Sequence, residues 1–447
     1  MTGALLRGTG ARAPTGTVCV MTSLEGAPVP ANDGAVNDGA VNDGAVNDGA
    51  VSGRVLMLVW TGVSTDTRVL REARTLVDEG WSVHIIGRAV PSDFVAPQGI
   101  SVSSVGVPPS AQGRTRKLSV IERAGRWLML PEHVGRRLGA WQREALVQAR
   151  EHRADVVHAH DFSALPVGAA LAQEWGVPLV YDSHELWSGR PRVGRPTPWK
   201  ARREARLEAR LGAGAAIVLT VGDGVADALR ERYGWPEVRV VRNTFPRAQP
   251  REPRIGGPSG AVYAGRIAPY RELEVIAQAS RSIDLPITLI GPTDAEFLAR
   301  FDPGRARIQD SLPADEVDAV LASAGLALVT HSDKWENHRL ALPNKLFHAV
   351  RAGVPVVATD VGELARTVRQ YDLGELYRPG DAADMVRAIE RAVGRYDELQ
   401  VCVRSAEHLL SWETDGRVLL DAYIAMRASP LGAVILGRHT HHTEEDS

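Results

Sequence analysis

The sequence predicts an α/β protein made of two parallel-sheet domains in tandem, and three observations carry that prediction. The chain has 447 residues, which at roughly 150 residues per domain leaves room for two to three. From Arg54 to about Tyr233, short apolar runs alternate with amphipathic stretches, the pattern of a parallel sheet covered by helices. A Pro- and Arg-rich stretch from Pro246 to Pro258 reads as a linker, after which the alternation begins again. Hydrophobic residues at 44% and charged ones at 24% exclude a mostly disordered or fibrous chain.

Residues 1–52 are expected to be a disordered, low-complexity leader, because Asn32 to Val51 is four tandem copies of Asn-Asp-Gly-Ala-Val. Asn-Asp-Gly is turn chemistry, and one Val per unit is too little to bury a core. The N-terminal α/β domain is assigned to 53–246. Val55 to Trp60 reads as a buried parallel strand, followed by a loop at Gly62, a helix from about Thr67 to Glu79 and a strand from Trp81 to Ile86. Further strands are expected at Val156–Ala159, Leu179–Tyr181 and Ile217–Val221, with helices near 163–175, 198–211 and 223–233. The C-terminal Rossmann-like domain, 247–405, has strands at Ala261–Tyr263, Ile287–Ile290, Leu326–Val329 and Val354–Ala358. Residues 406–427 form a closing helix. The tail 428–447 loses periodicity and is expected to be disordered, and no metal is assigned to its His439, His441 and His442.

Lys+Arg 52 against Asp+Glu 54 gives a net charge of −2, which removes the footprint of a nucleic-acid binder. Cys19 and Cys402 are the only cysteines, too few for a zinc cluster or a disulfide framework and compatible with a reducing compartment. No run approaches the 18 apolar residues of a spanning helix, and the first residues lack the apolar core of a secretory signal, so the expected location is cytoplasmic. Gly-Lys-Ser/Thr, Gly-x-Gly-x-x-Gly, His-Glu-x-x-His and Gly-x-Ser-x-Gly are absent. This argues against several nucleotide hydrolase, dehydrogenase, metalloprotease and esterase readings. Gly222-Asp-Gly224 lacks its third glycine. No Asp-x-Asp pair occurs to hold a cation on a diphosphate, so phosphate binding is expected to be metal-independent.

Three segments supply such binding. After the strand Ala261–Tyr263, Gly265 lets the backbone approach a ligand, while Arg266 and Arg271 leave a strand-to-helix loop with a diphosphate's spacing between them. At Pro343-Asn344-Lys345, a proline-initiated helix offers free amides beside an ammonium, and Gly353 ends that helix. In the N-terminal half, Val156-Val-His158-Ala-His160-Asp161 and Tyr181-Asp182-Ser-His184-Glu185 end two strands, where ligands of open parallel sheets bind. Each histidine is open to a second reading as a satisfied structural residue.

The chain resembles the GT-B glycosyltransferase family usually called family 4, which includes bacterial retaining hexosyl- and mannosyltransferases. The resemblance runs from about 54 to 425. It is carried by Asp66-Thr-Arg68-Val-Leu-Arg-Glu-Ala73, Asp155 to Asp161, Tyr181 to Glu185, Arg242-Asn243, Gly265-Arg266 with Arg271, Pro343 to Phe347 and Ala352 to Val357. The family implies two Rossmann-like domains facing a central cleft, the C-terminal one gripping a nucleotide-sugar donor and the N-terminal one offering the acceptor. It also implies a last helix crossing back, matched by Leu409 through Tyr423. Arg266 and Arg271 would stabilise the departing nucleoside diphosphate, and His160 would approach the transferred sugar, with configuration retained. The implied substrate-binding set is Gly62, Asp161, His184, Glu185, Asn243, Gly265, Asn344, Lys345 and His348, with no cofactor and no metal. Many relatives have two glutamates eight residues apart where this chain has Leu340 and His348. His348 is then the candidate donor to ribose hydroxyls, with Glu336 or Glu363 as substitute carboxylates.

Between Arg114 and Arg153 lie ten Arg or Lys residues and four Glu, with Trp127 and Trp141 among them, and a second basic cluster surrounds Trp199. These helices suit either solvated faces or peripheral contact with an anionic membrane at its inner face, where a lipid-linked acceptor is found. The expected function is hexosyl transfer to a glycan, lipid-linked or small-molecule acceptor in cell-envelope or exopolysaccharide synthesis. The alternatives are a glycosyltransferase-like protein that binds nucleotide or glycan without transfer, and a nucleotide-sugar epimerase of the same architecture.

Overall fold

A computed structural model describes residues 53–106, 138–190 and 198–428. The Asn-Asp-Gly-Ala-Val repeats, the basic run over 107–137 and the tail beyond Ala428 lie outside the described residues.

Seven parallel strands form the first sheet: β1 (Gly53–Leu58), β2 (Trp81–Arg88), β3 (Ile100–Val105), β4 (Val156–His160), β5 (Leu179–Ser183), β6 (Ile217–Thr220) and β7 (Val238–Val240). Their order is β3-β2-β1-β4-β5-β6-β7, so the winding reverses between β1 and β4. The continuous run Val-Leu-Met-Leu-Val explains why β1 is central. Leu56 and Leu58 enter one apolar cluster, while Val55, Met57 and Val59 enter another on the opposite face. Asp66 caps α1 (Thr67–Asp78) by accepting from Val69 N. The remaining described helices of this half are α2 (138–149), α3 (Asp161–Trp175), α4 (Pro198–Gly212) and α5 (Asp223–Tyr233).

The second sheet has six parallel strands: β8 (Gly260–Ala264), β9 (Ile287–Ile290), β10 (Arg307–Gln309), β11 (Gly325–Val329), β12 (Val356–Thr359) and β13 (Gly374–Tyr377). The order β10-β9-β8-β11-β12-β13 reverses between β8 and β11. Its helices are α6 (Leu273–Ala279), α7 (Ala295–Leu298), α8 (Ala314–Ala324), α9 (Glu336–Leu340), α10 (Asn344–Ala352), α11 (Gly362–Tyr371), α12 (Ala382–Gly394) and α13 (Tyr396–Glu407). Both sheets are Rossmann-like, as the alternation predicts. β12 starts at Val356 rather than Val354, because Val354 N still bonds the α10 carbonyl of Ala349.

The last helix, α14 (Trp412–Ala428), lies on the first half of the chain. Trp412, Leu419, Ala422, Tyr423 and Met426 share a cluster with Val69, Ala73 and Leu76 of α1 and with residues of β1. Trp412 Nε1 donates to Thr75 Oγ1 at 2.9 Å, and Asp415 accepts from Arg242 at 3.0 Å and from Thr244 at 2.6 Å. No described helix is long and apolar enough to cross a membrane.

Candidate functional site

Ligands of open parallel sheets bind beyond the carboxyl ends of strands at the point where the winding reverses. Here a cavity of about 410 Å³ is lined by Thr61, Arg68, His184, Glu185 and Asn243 from one half and by Asn337, Leu342 and Asn344 from the other. Gly62 shapes the loop leaving β1, its carbonyl accepting from Thr65 Oγ1 at 3.1 Å.

On the N-terminal side, β4 turns into α3 through Asp161, whose φ of 61° is left-handed. A non-glycine residue is strained there, and such strain collects at functional sites. Asp161 Oδ1 accepts His184 N–H at 3.1 Å, and Oδ2 lies 3.5 Å from His184 Nδ1. Asp182 of β5 is fully buried. It accepts Arg68 Nε and Nη2, each at 2.8 Å, and lies 2.9 Å from His184 Nε2. Burial opposes its charge, but Arg68 and His184 outweigh it and hold the carboxyl well below the usual range. Burial likewise opposes a charged His184, yet Asp161 and Asp182 hold it up to about 10. His184 is thus a fixed cation at neutral pH, a donor and not a proton acceptor.

Of the two histidines, His184 lines the cavity and His160 does not. His160 has no exposed surface: its Nδ1 lies 3.2 Å from Asp182, and its ring stacks on His158 at 4.3 Å. β4 is central in its sheet and covered on both faces, so a side chain on it is enclosed, whereas residue 184 has passed the end of β5. Among the described residues, Glu72, His158, His160 and Asp182 bring ligand atoms within 4.8 Å of one another and could hold a metal ion. Arg68 lies 3.0 Å from Glu72 and 2.8 Å from Asp182.

On the C-terminal side, Lys345 Nζ donates to the carbonyl of Thr330 at 2.7 Å and sits 4.4 Å from the centre of the Tyr263 ring. Thr330 Oγ1 donates to the carbonyl of Arg271 at 2.6 Å. Burial, then Arg271, pull the Lys345 ammonium down to about 7. Gly265 keeps this space open, since a Cβ there would meet Tyr263 Oη at 3.2 Å and Lys345 Cδ at 3.3 Å. Tyr270 and Glu272, on either side of Arg271, have φ of 65° and 57°. Arg266 is exposed in the same loop, and neither arginine has a carboxylate partner among the described residues. Asn243 bridges the halves, its Nδ2 donating to Asn344 Oδ1 at 2.9 Å while its Oδ1 accepts from Arg71. Glu185 accepts from Asn337 Nδ2 at 2.8 Å and pairs with Arg190 at 2.9 Å, and burial raises its pKa despite that pairing.

His348 is not among the residues that line the cavity. Its Nδ1 is 2.7 Å from Asp318 Oδ1 and its ring 4.2 Å from Phe245, because position 348 is on the face of α10 that packs on α8. Leu340 packs against the apolar cluster of the first sheet. Glu336 pairs with Arg232 and Glu363 with Arg366, each at 2.7 Å, so both substitute carboxylates are engaged. Asn337 and His331 escaped the motif reading. For His331 the signal was position, just beyond the carboxyl end of β11, while Asn337 lies in α9.

Residues 64–244 match the glycosyl transferase 4-like domain, and residues 259–395 match glycosyl transferases group 1. A D-inositol 3-phosphate glycosyltransferase of Paenarthrobacter aurescens is 26% identical over 312 residues, covering 62% of this chain and 74% of its own. A glycogen synthase of Mycobacterium tuberculosis is 26% identical over 301 residues, 62% of this chain and 70% of its own. Among solved structures, the sucrose-phosphate synthase from Thermosynechococcus elongatus has a TM-score of 0.62 at 16% identity, covering 84% of this chain and 99% of its own. HepE of Anabaena in complex with UDP has a TM-score of 0.61 at 14% identity, covering 83% and 100%. These structural likenesses show the fold.

Proposed function

The chain is a family 4-like glycosyltransferase of GT-B fold, and from that premise we propose that it moves a hexose-type sugar from a nucleotide-sugar to a glycan, lipid-linked or small-molecule acceptor with retention. The observation that carries this reading is the pairing of Arg271 with Lys345, two cations without a carboxylate partner among the described residues, at the carboxyl ends of β8 and β11. Cleaving the sugar–phosphate bond leaves a nucleoside diphosphate that gains negative charge. Positive groups held in place around that charge lower the barrier because they need not reorganise during the step. Arg266, exposed in the same loop, closes over the diphosphate, so no metal is assigned a role. The acceptor enters from the N-terminal wall, where the His184 cation sets a positive charge beside a substrate oxygen and Glu185 accepts from a hydroxyl. Attack on the same face as the departing diphosphate retains configuration. UDP and UDP-glucose, held by the HepE neighbours, are the first donors to test.

The setting we favour is cell-envelope or exopolysaccharide synthesis at a membrane surface. α4 supports it: Glu204 and Glu208 turn inward to Trp187 and to the hydroxyls of Tyr181 and Tyr233, leaving Arg203, Arg206 and Arg210 exposed with Trp199, 79% exposed. Sedimentation with phosphatidylglycerol vesicles should be lost in the Arg203→Glu, Arg206→Glu, Arg210→Glu variant. Retention of binding by that variant would remove α4 from the contact.

A thermal-shift screen against uridine, guanosine, adenosine and thymidine diphosphates and their sugars tests the donor reading. One base family should raise the melting temperature. Arg271→Ala should then weaken that donor by at least about tenfold, the equivalent of 1.4 kcal/mol and of one charged hydrogen bond. Unchanged affinity would take Arg271 out of the site, and binding without turnover in the presence of acceptors would leave a nucleotide-binding protein.

A further inference from the structure

His331 follows β11 directly, and its backbone N–H donates to Thr359 Oγ1 at 2.9 Å at the end of the neighbouring strand. It is 6% exposed, and both of its ring nitrogens are buried without a hydrogen-bond partner. Buried polar atoms in native proteins are overwhelmingly satisfied, so a ring with neither nitrogen satisfied points to a missing ligand.

The groups around it identify that ligand's charge. Lys345 from α10 and Arg271 from the loop after β8 both act on the ring, and His338 of α9 lies 4.7 Å away, ring to ring. Thr330, the preceding residue, ties Lys345 through its carbonyl and Arg271 through its hydroxyl. Of the nearby carboxylates, Asp333 acts on His338 and on Glu272, and neither Asp333 nor Glu272 acts on His331. His338 Nδ1 is also buried without a partner. Two cations and two imidazoles, with the exposed Asp333 acting on His338 alone among them, are complementary to a small, multiply charged anion.

We propose that His331 is a direct ligand of the diphosphate held by Arg271 and Lys345, and that this cluster takes up a proton when the diphosphate binds. The inference rests on the donor reading above. In the unliganded protein, burial and then Lys345, His338 and Arg271 drive His331 down to about 2, while Lys345 is pulled to about 7. A diphosphate reverses the sign of the local potential and raises both, so each gains protons from solvent over a pH range in which it was neutral. Lys345 answers at the alkaline end of that range and His331 at the acid end.

The test is titration calorimetry of the full chain with UDP and, independently of any base, with inorganic pyrophosphate. Measurements at pH 6 and pH 8 in buffers of different ionisation enthalpy count the protons. Wild type should show an enthalpy that depends on the buffer at both pH values, in the direction of uptake. Lys345→Arg, charged throughout, should bind while losing most of the uptake at pH 8. His331→Phe should weaken pyrophosphate by about tenfold and lose the uptake at pH 6. His331→Asn, polar and smaller, should also lose that uptake and serves if the phenylalanine variant does not fold. Pyrophosphate affinity unchanged in folded His331 variants, or a wild-type enthalpy independent of buffer, would overturn this inference and leave the donor reading standing. Folded wild type that binds neither ligand would overturn both.

Discussion

Asp182 shows how much of the site depends on one enclosed carboxylate. A buried charge is tolerated only with partners, and Asp182 has Arg68, His160 and His184 around it. The consequence for His184 is measurable. Its folded pKa is raised from 6.5 to about 10, so its contribution to stability is complete below pH 6.5 and is lost as pH rises through 10. His184→Gln should therefore cost about 2 kcal/mol at pH 6, the loss of a charge-assisted bond. The same substitution should cost much less at pH 10.5, with urea denaturation of both proteins as the measurement. An equal cost at the two pH values would mean that His184 is uncharged in the folded chain.

At the scale of elements, α14 completes a core that the first half cannot close alone. Leu419 has no exposed surface and shares its cluster with Val69 and Leu76 of α1. Leu419→Ala should destabilise by about 3 kcal/mol through lost transfer free energy and a cavity. Amide exchange in α1 should quicken, although α1 is more than 300 residues away in sequence, while exchange in α6 should be unaffected. Protection of α1 equal to wild type would separate α14 from the N-terminal core. Gly-Asp-Gly at 222–224 has its explanation at this scale too. A Cβ on Gly222 would meet Leu342 Cδ1 at 3.5 Å, and one on Gly224 would meet Glu363 Oε2 at 3.0 Å and Leu340 Cα at 3.5 Å. Gly224 admits the start of α5 against the other half, whereas at Gly222 an added Cβ would make only ordinary contact.

For the molecule as a whole, polar contacts join the two halves across the cleft, beside the packing of Leu340 on the first half's core. These include Arg232 to Glu336 at 2.7 Å, Asn337 to Glu185 at 2.8 Å and Asn243 to Asn344 at 2.9 Å. Part-exposed pairs of this kind contribute about 0–1 kcal/mol each, so opening costs little. Gly224→Leu should wedge the halves apart and raise the radius of gyration in X-ray scattering, with Gly224→Ala close to wild type because Glu363 can shift. Turnover should fall more than donor affinity, since the donor's cations all lie in one half. Scattering identical to wild type for the leucine variant would show that this contact does not set the closure.

The sequence by itself determined the two parallel sheets and the loops that carry the chemistry. A strand such as β1 is buried on both faces and reads as a continuous apolar run, and helix starts and stops are written in local residues such as Asp66 and Gly353. The edge strands β3, β7, β10 and β13 were not legible, because an edge demands less burial and leaves runs such as Arg-Ile-Gln. Only the tertiary structure decided which histidine faces the cleft. His160 and His184 both end apolar runs, but β4 encloses one while Asp161 and Asp182 hold the other at the cavity. It also decided that His348 belongs to Asp318 and that His331 stands beside Lys345 and Arg271. Periodicity fixes what a residue's own element needs, whereas charge pairing joins residues far apart in the chain, and that is settled only when the sheets are built.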